Sequence, residues 1–508
     1  MPAVTSRLTP WMRLAGLFLL LWGPALAVVH HYGSDLPQYD QWDAEGALIY
    51  LPHAQGTLEA QAFFRPHNEH RIALARGLAY LLLLANGQWD ARLQCVVNAA
   101  LHALIGVLAF GWGCKTLATH WRIGWLLVVA GFTALPVSWE IVLSGFGSQQ
   151  YMLVGCSLGT LALLGAAPAG TGRWWLGVLC AWLALFTMAS GLFAAAVVAA
   201  TLLLFALRER GDWRRHGPTL LVCGAVIVTG LLLHAPAPLH EVLHSDSVGE
   251  YVAALRRYLQ WPFEGRVWGR LARAWILPVL QWLPWLWLGA RLWRQGRESA
   301  TRERVIWAAA GWALLQFAVS AYARGAGAPK PSSRYVDTLL VGVGANLLAL
   351  ALLCAHTKLA GWRRRVLVGG ALVGCVGALA GVGMHVGDNF SRHLPRHRAH
   401  LARTLENTRA YLATGDFAHL QHGDIPYPQA DTLAEWLSHP EIRAILPASL
   451  QPAPARPGPL SRIAAWLARA GIVIAALGAA LLAAAAWRDW RQPACVAELA
   501  TRTPGASG

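Results

Sequence analysis

Apolar runs of about twenty residues recur along this chain, near 11–29, 93–113, 123–138, 151–168, 174–188, 191–207, 218–234, 272–290, 305–321, 336–356, 366–385 and 462–487. In hydrocarbon, backbone N–H and C=O groups must be paired within their own segment, so runs of this length fold as membrane-spanning helices. Charge agrees with hydropathy. Only 13% of the 508 residues are charged, against about 25% in soluble domains. The sequence therefore predicts an all-α, polytopic helical membrane protein with about 12 transmembrane helices. The first run, Trp11 to Val29, follows Arg7 and Arg13 and contains "ALA" at 25–27. Its length reads as a retained signal anchor rather than a cleaved signal peptide.

A formal net charge of +16 does not imply a nucleic-acid partner, because the basic residues are scattered over short loops between apolar runs. They bear on topology instead. The run "IALARGLAYLLLLANG" (72–87) is short and carries Arg76, which suits a juxtamembrane or re-entrant helix that does not cross. With an inside N-terminus, "CKTLATHWR", "RERGDWRRHG", "RQGRESATRER", "TKLAGWRRR" and the tail "WRDWRQ" then face the cytoplasm, as the positive-inside rule asks. The opposite face gathers the loop 30–92, the stretches 139–150 and 322–335, and the polar segment 386–460. That segment is expected to form a small external helical unit on the module 1–385, ending in the linker "QPAPARPGP". Residues 461–508 then supply a last span and a cytoplasmic tail. None of the eight cysteines lies in a large polar loop, so no disulfide framework, zinc site or thiol chemistry is expected.

The candidate chemistry lies in the first polar loop. In "SDLPQYDQWDAEG" (34–46), Ser34 or Asp35 can cap a helix with Pro37 in its first turn. Asp40 and Asp43 would then share a face, as a general base or cation site, or simply as acids at a helix N-terminus. "RPHNEHR" (65–71) crowds six polar or ionisable residues where a plain connector needs one or two. His67 and His70 are three apart, on one face if helical. Arg71 suits a phosphate oxygen through its fork of donors. The His-Glu-x-x-His zinc pattern is absent, while a divalent-metal site from His67, Glu69 and His70 is a second reading of the spacing. In "YARGAGAPKPSSRYVD" (322–337), Arg324, Lys330 and Arg334 read as an anion site or as a basic loop near lipid head groups. Gln149 and Gln150 could bond sugar hydroxyls or simply mark a span entrance. The histidines of 386–460 read as solvated, and Asp35 and Glu45 as bystanders.

"YDQWDAE" and "HNEHR", supported by "WEIVLSGFGSQ", "ASG" and "SRYVD", resemble the GT-C superfamily of membrane glycosyltransferases, and a bacterial group with the same motif order. The resemblance implies a bacterial inner-membrane enzyme with its site facing the periplasm. It implies a polyprenyl-phosphate sugar donor and a lipid or cell-envelope glycan acceptor. It makes Asp40 or Asp43 the base and Glu69 a second carboxylate, with Arg324 or Arg334 holding the lipid phosphate. His67, His70, Arg71, Gln149 and Tyr335 would line the substrate. The acids are spaced D-x-x-D rather than adjacent, which leaves the base open between the two. A flippase of lipid-linked glycans, or an envelope-assembly protein without catalysis, are the rivals. The near absence of charge within the spans counts against a flippase.

Overall fold

The computed structural model describes residues 2–208, 213–263, 268–273, 275–296, 301–356, 361–421, 423–451 and 455–491. His422, the linker residues 452–454, the tail from 492 and parts of three basic loops lie outside the described residues. Helix accounts for 80% of the structure, with no strand among the described residues, so the all-α expectation holds.

The main helices are α1 (Pro2–Tyr32), α2 (Ala73–Asn86), α3 (Ala91–Thr116), α4 (Arg122–Thr133), α5 (Ser148–Gly159) and α6 (Gly172–Ala184). They continue as α7 (Phe193–Arg208), α8 (Trp213–Leu232), α9 (Val248–Gln260), α10 (Ile276–Gln295), α11 (Thr301–Ala323) and α12 (Val336–His356). The last are α13 (Trp362–Asp388), α14 (Leu394–Thr414), α15 (Ala430–Ser438), α16 (Pro440–Ile445), α17 (Pro459–Arg469) and α18 (Gly471–Arg491).

Eight helices among the described residues are long and apolar enough to cross a membrane. The other four expected runs, 123–138, 151–168, 174–188 and 272–290, are not among them. Helix α4 has 12 residues and α6 has 13, rising about 18–20 Å where the hydrocarbon core needs about 30 Å. Helix α5 runs on through a π turn at Thr160–Leu164, and α10 carries Pro284 in its interior. Helix α2, at 14 residues, rises about 21 Å, too little to cross alone.

Helices α1 and α18 run against each other along a seam of small residues. A Cβ at Gly23 would lie 2.5 Å from the Gly471 carbonyl oxygen, and one at Gly478 would lie 2.4 Å from the Leu20 nitrogen. Only glycine permits that backbone approach. Helix α1 is thus part of the bundle, with Leu21 and Leu26 fully buried.

A second core covers one end of the bundle, hereafter the site end. Leu36, Trp42, Ile49, Tyr50 and Trp89 of the first polar loop pack on Leu433, Leu437, Ile442 and Leu446 of α15 and its surroundings. Segment 386–460 is joined to the bundle by continuous helix at its start. Residues Trp362–Thr414 form one helical run of 53 residues, bridged by a π turn at Asn389–His393, that carries the cap directly on a bundle helix. Asn389 pins the join by donating to the Pro136 and Val137 carbonyls at 2.8 and 3.1 Å.

Candidate active site

The loop 34–50 differs from the expected capped helix. Ser34 Oγ accepts from the Leu36 amide at 3.1 Å, making a local turn. The regular structure is a π helix, Trp42–Tyr50, whose i→i+5 hydrogen bonds widen the turn. Asp40 and Asp43 consequently have different neighbours. Asp40 lies beside His67, with Oδ2 3.7 Å from Nε2, and its side chain is 47% exposed. Asp43 is half-buried, with Oδ1 lacking any partner and Tyr427 of the cap beside it.

Their ionisation separates too. Burial opposes charge on Asp40, but the His67 imidazole, Arg334 and His240 outweigh it and hold the carboxyl below its ordinary range. Burial raises Asp43, beyond what Tyr427 and His67 offset, and the Asp40 charge raises it further.

"RPHNEHR" is a tight turn rather than a helix. His67 N donates to the His70 carbonyl at 2.8 Å and His70 N to the His67 carbonyl at 3.0 Å, closing a two-residue bridge. Asn68 supplies the positive φ of 50°, a conformation asparagine tolerates. Across this turn His67 meets Asp40, whereas Glu69 turns to other partners. Arg324 Nη2 donates to Glu69 Oε1 at 2.6 Å, and His240 Nδ1 lies 2.7 Å from Oε2. Burial opposes the Glu69 charge, but His70, its own backbone amide, Arg324 and His240 bring the carboxyl down to about 2.

His70 Nδ1 accepts the Ala189 amide at 3.1 Å, within "ASG", which requires a neutral ring. Burial lowers its pKa to about 4 despite the pull of Glu69. The expected trio His67, Glu69 and His70 does not converge, and among the described residues no group of three or more His, Cys, Asp or Glu could hold a metal ion.

The expected cations divide in the same way. Arg71 donates through Nε to the Leu233 carbonyl at 2.9 Å and through Nη1 to that of Phe64 at 2.8 Å, so those donors strap backbone. Arg324 is engaged by Glu69, with Tyr335 beside it. Arg334 is exposed, and its guanidinium makes no hydrogen bond or ion pair with a described residue. It sits on the 3₁₀ turn Ser333–Tyr335. Ser332 and Ser333 both donate to Glu140 Oε2 at 2.9 Å, so Glu140 fixes the turn that presents Arg334. Gln149 begins α5 with a buried, unpartnered Oε1.

Several residues escaped the sequence reading. Glu45 is 3% exposed, and its Oε2 accepts from Gln94 at 2.9 Å, Trp89 at 3.0 Å, and Gln41 and Tyr50 at 3.3 Å. It is a structural hub, not a bystander. Gln94, Asn98 and His102 lie four apart on α3, a spacing that could have flagged a polar stripe in an apolar span. Asn98 holds the Ser144 and Gly145 carbonyls at 3.1 and 3.0 Å. His102 Nε2 lies 3.8 Å from Asp337 Oδ1, which also accepts from Ser138 at 2.8 Å. The spans are therefore not as charge-free as expected. Nor are the cap histidines all solvated: His393 and His397 pack on Trp139, and His400 pairs with Asp424 at 2.6 Å.

A scan against protein-family models finds no match, and neither curated proteins nor solved structures give one.

Proposed function

We propose that this protein is an integral-membrane glycosyltransferase, moving a sugar from a polyprenyl-phosphate donor to a lipid or envelope-glycan acceptor at the outer face of a bacterial inner membrane. The observation that carries the reading is the pairing of opposite roles at the site end. Asp40 is an open carboxylate kept ionised beside an imidazole, and Arg334 is an open guanidinium on the turn clamped by Glu140.

In the reaction Asp40 accepts the acceptor hydroxyl proton as that oxygen attacks the anomeric carbon. Arg334 meets the phosphate charge that develops as the donor bond breaks. A single displacement inverts the anomeric centre. Glu69 and Arg324 neutralise one another, and Asp43 is half-buried with its carboxyl pushed up by burial, so in this reading Asp40 is the base and Arg334 the phosphate contact.

A second reading, a flippase of lipid-linked glycans, draws on the His102–Asp337 pair within the bundle. One experiment separates the two. The purified protein is incubated with a panel of polyprenyl-phosphate sugars in detergent, where no gradient exists. Transfer or donor hydrolysis supports the enzyme. No turnover with any donor, combined with donor translocation in proteoliposomes, supports the flippase and removes the enzyme.

A further inference from the structure

A cavity of about 510 Å³ lies between α3, α4, α5, α11 and α12, within the roughly 300–1,000 Å³ of small-ligand sites. Its walls are mostly apolar, and three of the five glycines that line it leave open space. In membrane bundles glycine usually lets helices touch. Here a Cβ at Gly111 would meet nothing within 4 Å, one at Gly155 would first meet Ile105 at 3.5 Å, and one at Gly344 would first meet Trp125 at 3.6 Å. The missing side chains leave a void instead of a seam. Leu14 and Leu108 on its rim are 48% and 64% exposed, so it opens sideways toward the bilayer.

The two ends of this cavity differ. At the floor, toward the site end, His102 and Tyr151 stack at 4.6 Å, with Asp337 behind them carrying an unpartnered, buried Oδ2. A carboxyl there disfavours a phosphate. At the mouth stand Lys115, at the far end of α3, and Arg173, in the first turn of α6. Both are exposed, and neither side chain has an acidic partner among the described residues.

We infer that the cavity holds one acyl chain of an anionic phospholipid from the leaflet opposite the candidate active site, its phosphate on Lys115 and Arg173. Apolar walls take the chain, the aromatic pair stops its tip, and the two cations select the head group. Helix α3 separates this site from Asp40 and Arg334, since it carries Gln94 at the site end and Lys115 at the other.

The test uses the full chain in vesicles of phosphatidylcholine with or without phosphatidylglycerol, followed by native mass spectrometry of the lipids retained. One phosphatidylglycerol is expected to remain bound, and inorganic phosphate should not displace it. Lys115→Gln with Arg173→Gln should lower that occupancy roughly tenfold or more, and Gly155→Leu should abolish it by filling the void. If Gly155→Leu does not fold, the charge variant still decides, because both side chains are exposed. Equal retention of phosphatidylcholine, or full retention in the charge variant, would overturn the proposal, as would displacement by free phosphate.

Discussion

Asp40 and Glu69 belong to one loop, yet their neighbours set them to opposite uses. Exposure and the His67 contact leave Asp40 ionised and reachable, while Arg324 and His240 saturate Glu69. Asp40→Asn should therefore lower sugar transfer by about a hundredfold or more, the scale of a lost general base. Arg334→Ala should instead raise KM for the donor. An Asp40→Asn variant with normal turnover would remove Asp40 as the base and leave Asp43 as the remaining candidate. The residue types of this site were legible, because six polar or ionisable residues in "RPHNEHR" exceed what a connector needs. Their pairing was not. His240 lies 171 residues from Glu69, and nothing local shows that it returns there. Glu45 shows the same gap, since burial and four donors are tertiary facts. Glu45→Gln, which looked neutral from the sequence, places an amide N–H₂ among donors and should cost about 2–3 kcal/mol of stability, read as earlier thermal unfolding in detergent. His70 adds a pH dependence. Its folded pKa of about 4 lies below the ordinary 6.5, so the unfolded chain takes up the proton first and stability falls as pH drops from 6.5 toward 4. Protonation also removes the lone pair that accepts the Ala189 amide. His70→Asn should flatten that slope in a pH series of melting curves.

The element that organises the loop is α2. Its Arg76 is 1% exposed and donates through Nε to the Ala44 carbonyl at 3.0 Å and through Nη1 to those of Phe63 and Arg65. One guanidinium thus ties the π helix to the strap before the His67–His70 turn. The arginine was visible in the sequence as the reason 72–87 should not cross, and the 14-residue helix agrees. Its backbone partners were not visible. Arg76→Met keeps the length of the side chain and removes the fork of donors. It should leave α2 helical but loosen 60–71, detected as faster amide exchange there with the bundle helices unchanged. Equal protection in both proteins would show that α2 does not organise the loop. Hydropathy does not show where a helix breaks. It registers apolar runs such as 123–138 and 174–188, but not the breaks at Ala134 and Leu185 that end α4 and α6 after 12 and 13 residues. It also passed over 235–263, where α9 is amphipathic, with Val248 and Val252 exposed at 80% and 56%.

At the scale of the whole molecule, the fold brings chain segments hundreds of residues apart to one end. Trp89 N donates to the Ile445 carbonyl and Tyr39 N to that of Pro426, both at 2.7 Å, so the first loop and the cap form one surface. Helix α3 leaves that surface at Asp90 and ends near Lys115 after 26 residues, about 39 Å, enough to cross a bilayer of about 30 Å. Gln55 and Glu406 therefore lie on one side and Lys115 on the other, whichever way the protein is inserted. The insertion we propose is the one that the positive-inside rule favours for this distribution of arginines, with the site end outward. Single cysteines at positions 55, 406 and 115, in a background lacking the eight native ones, give a direct reading. A membrane-impermeant maleimide applied to intact cells should label positions 55 and 406, and should reach 115 only after permeabilisation. Labelling of 115 alone in intact cells would turn Asp40 and Arg334 to the cytoplasm and remove the outward-facing transferase. Labelling of 55 without 406 would instead contradict the packing of the cap on the first loop.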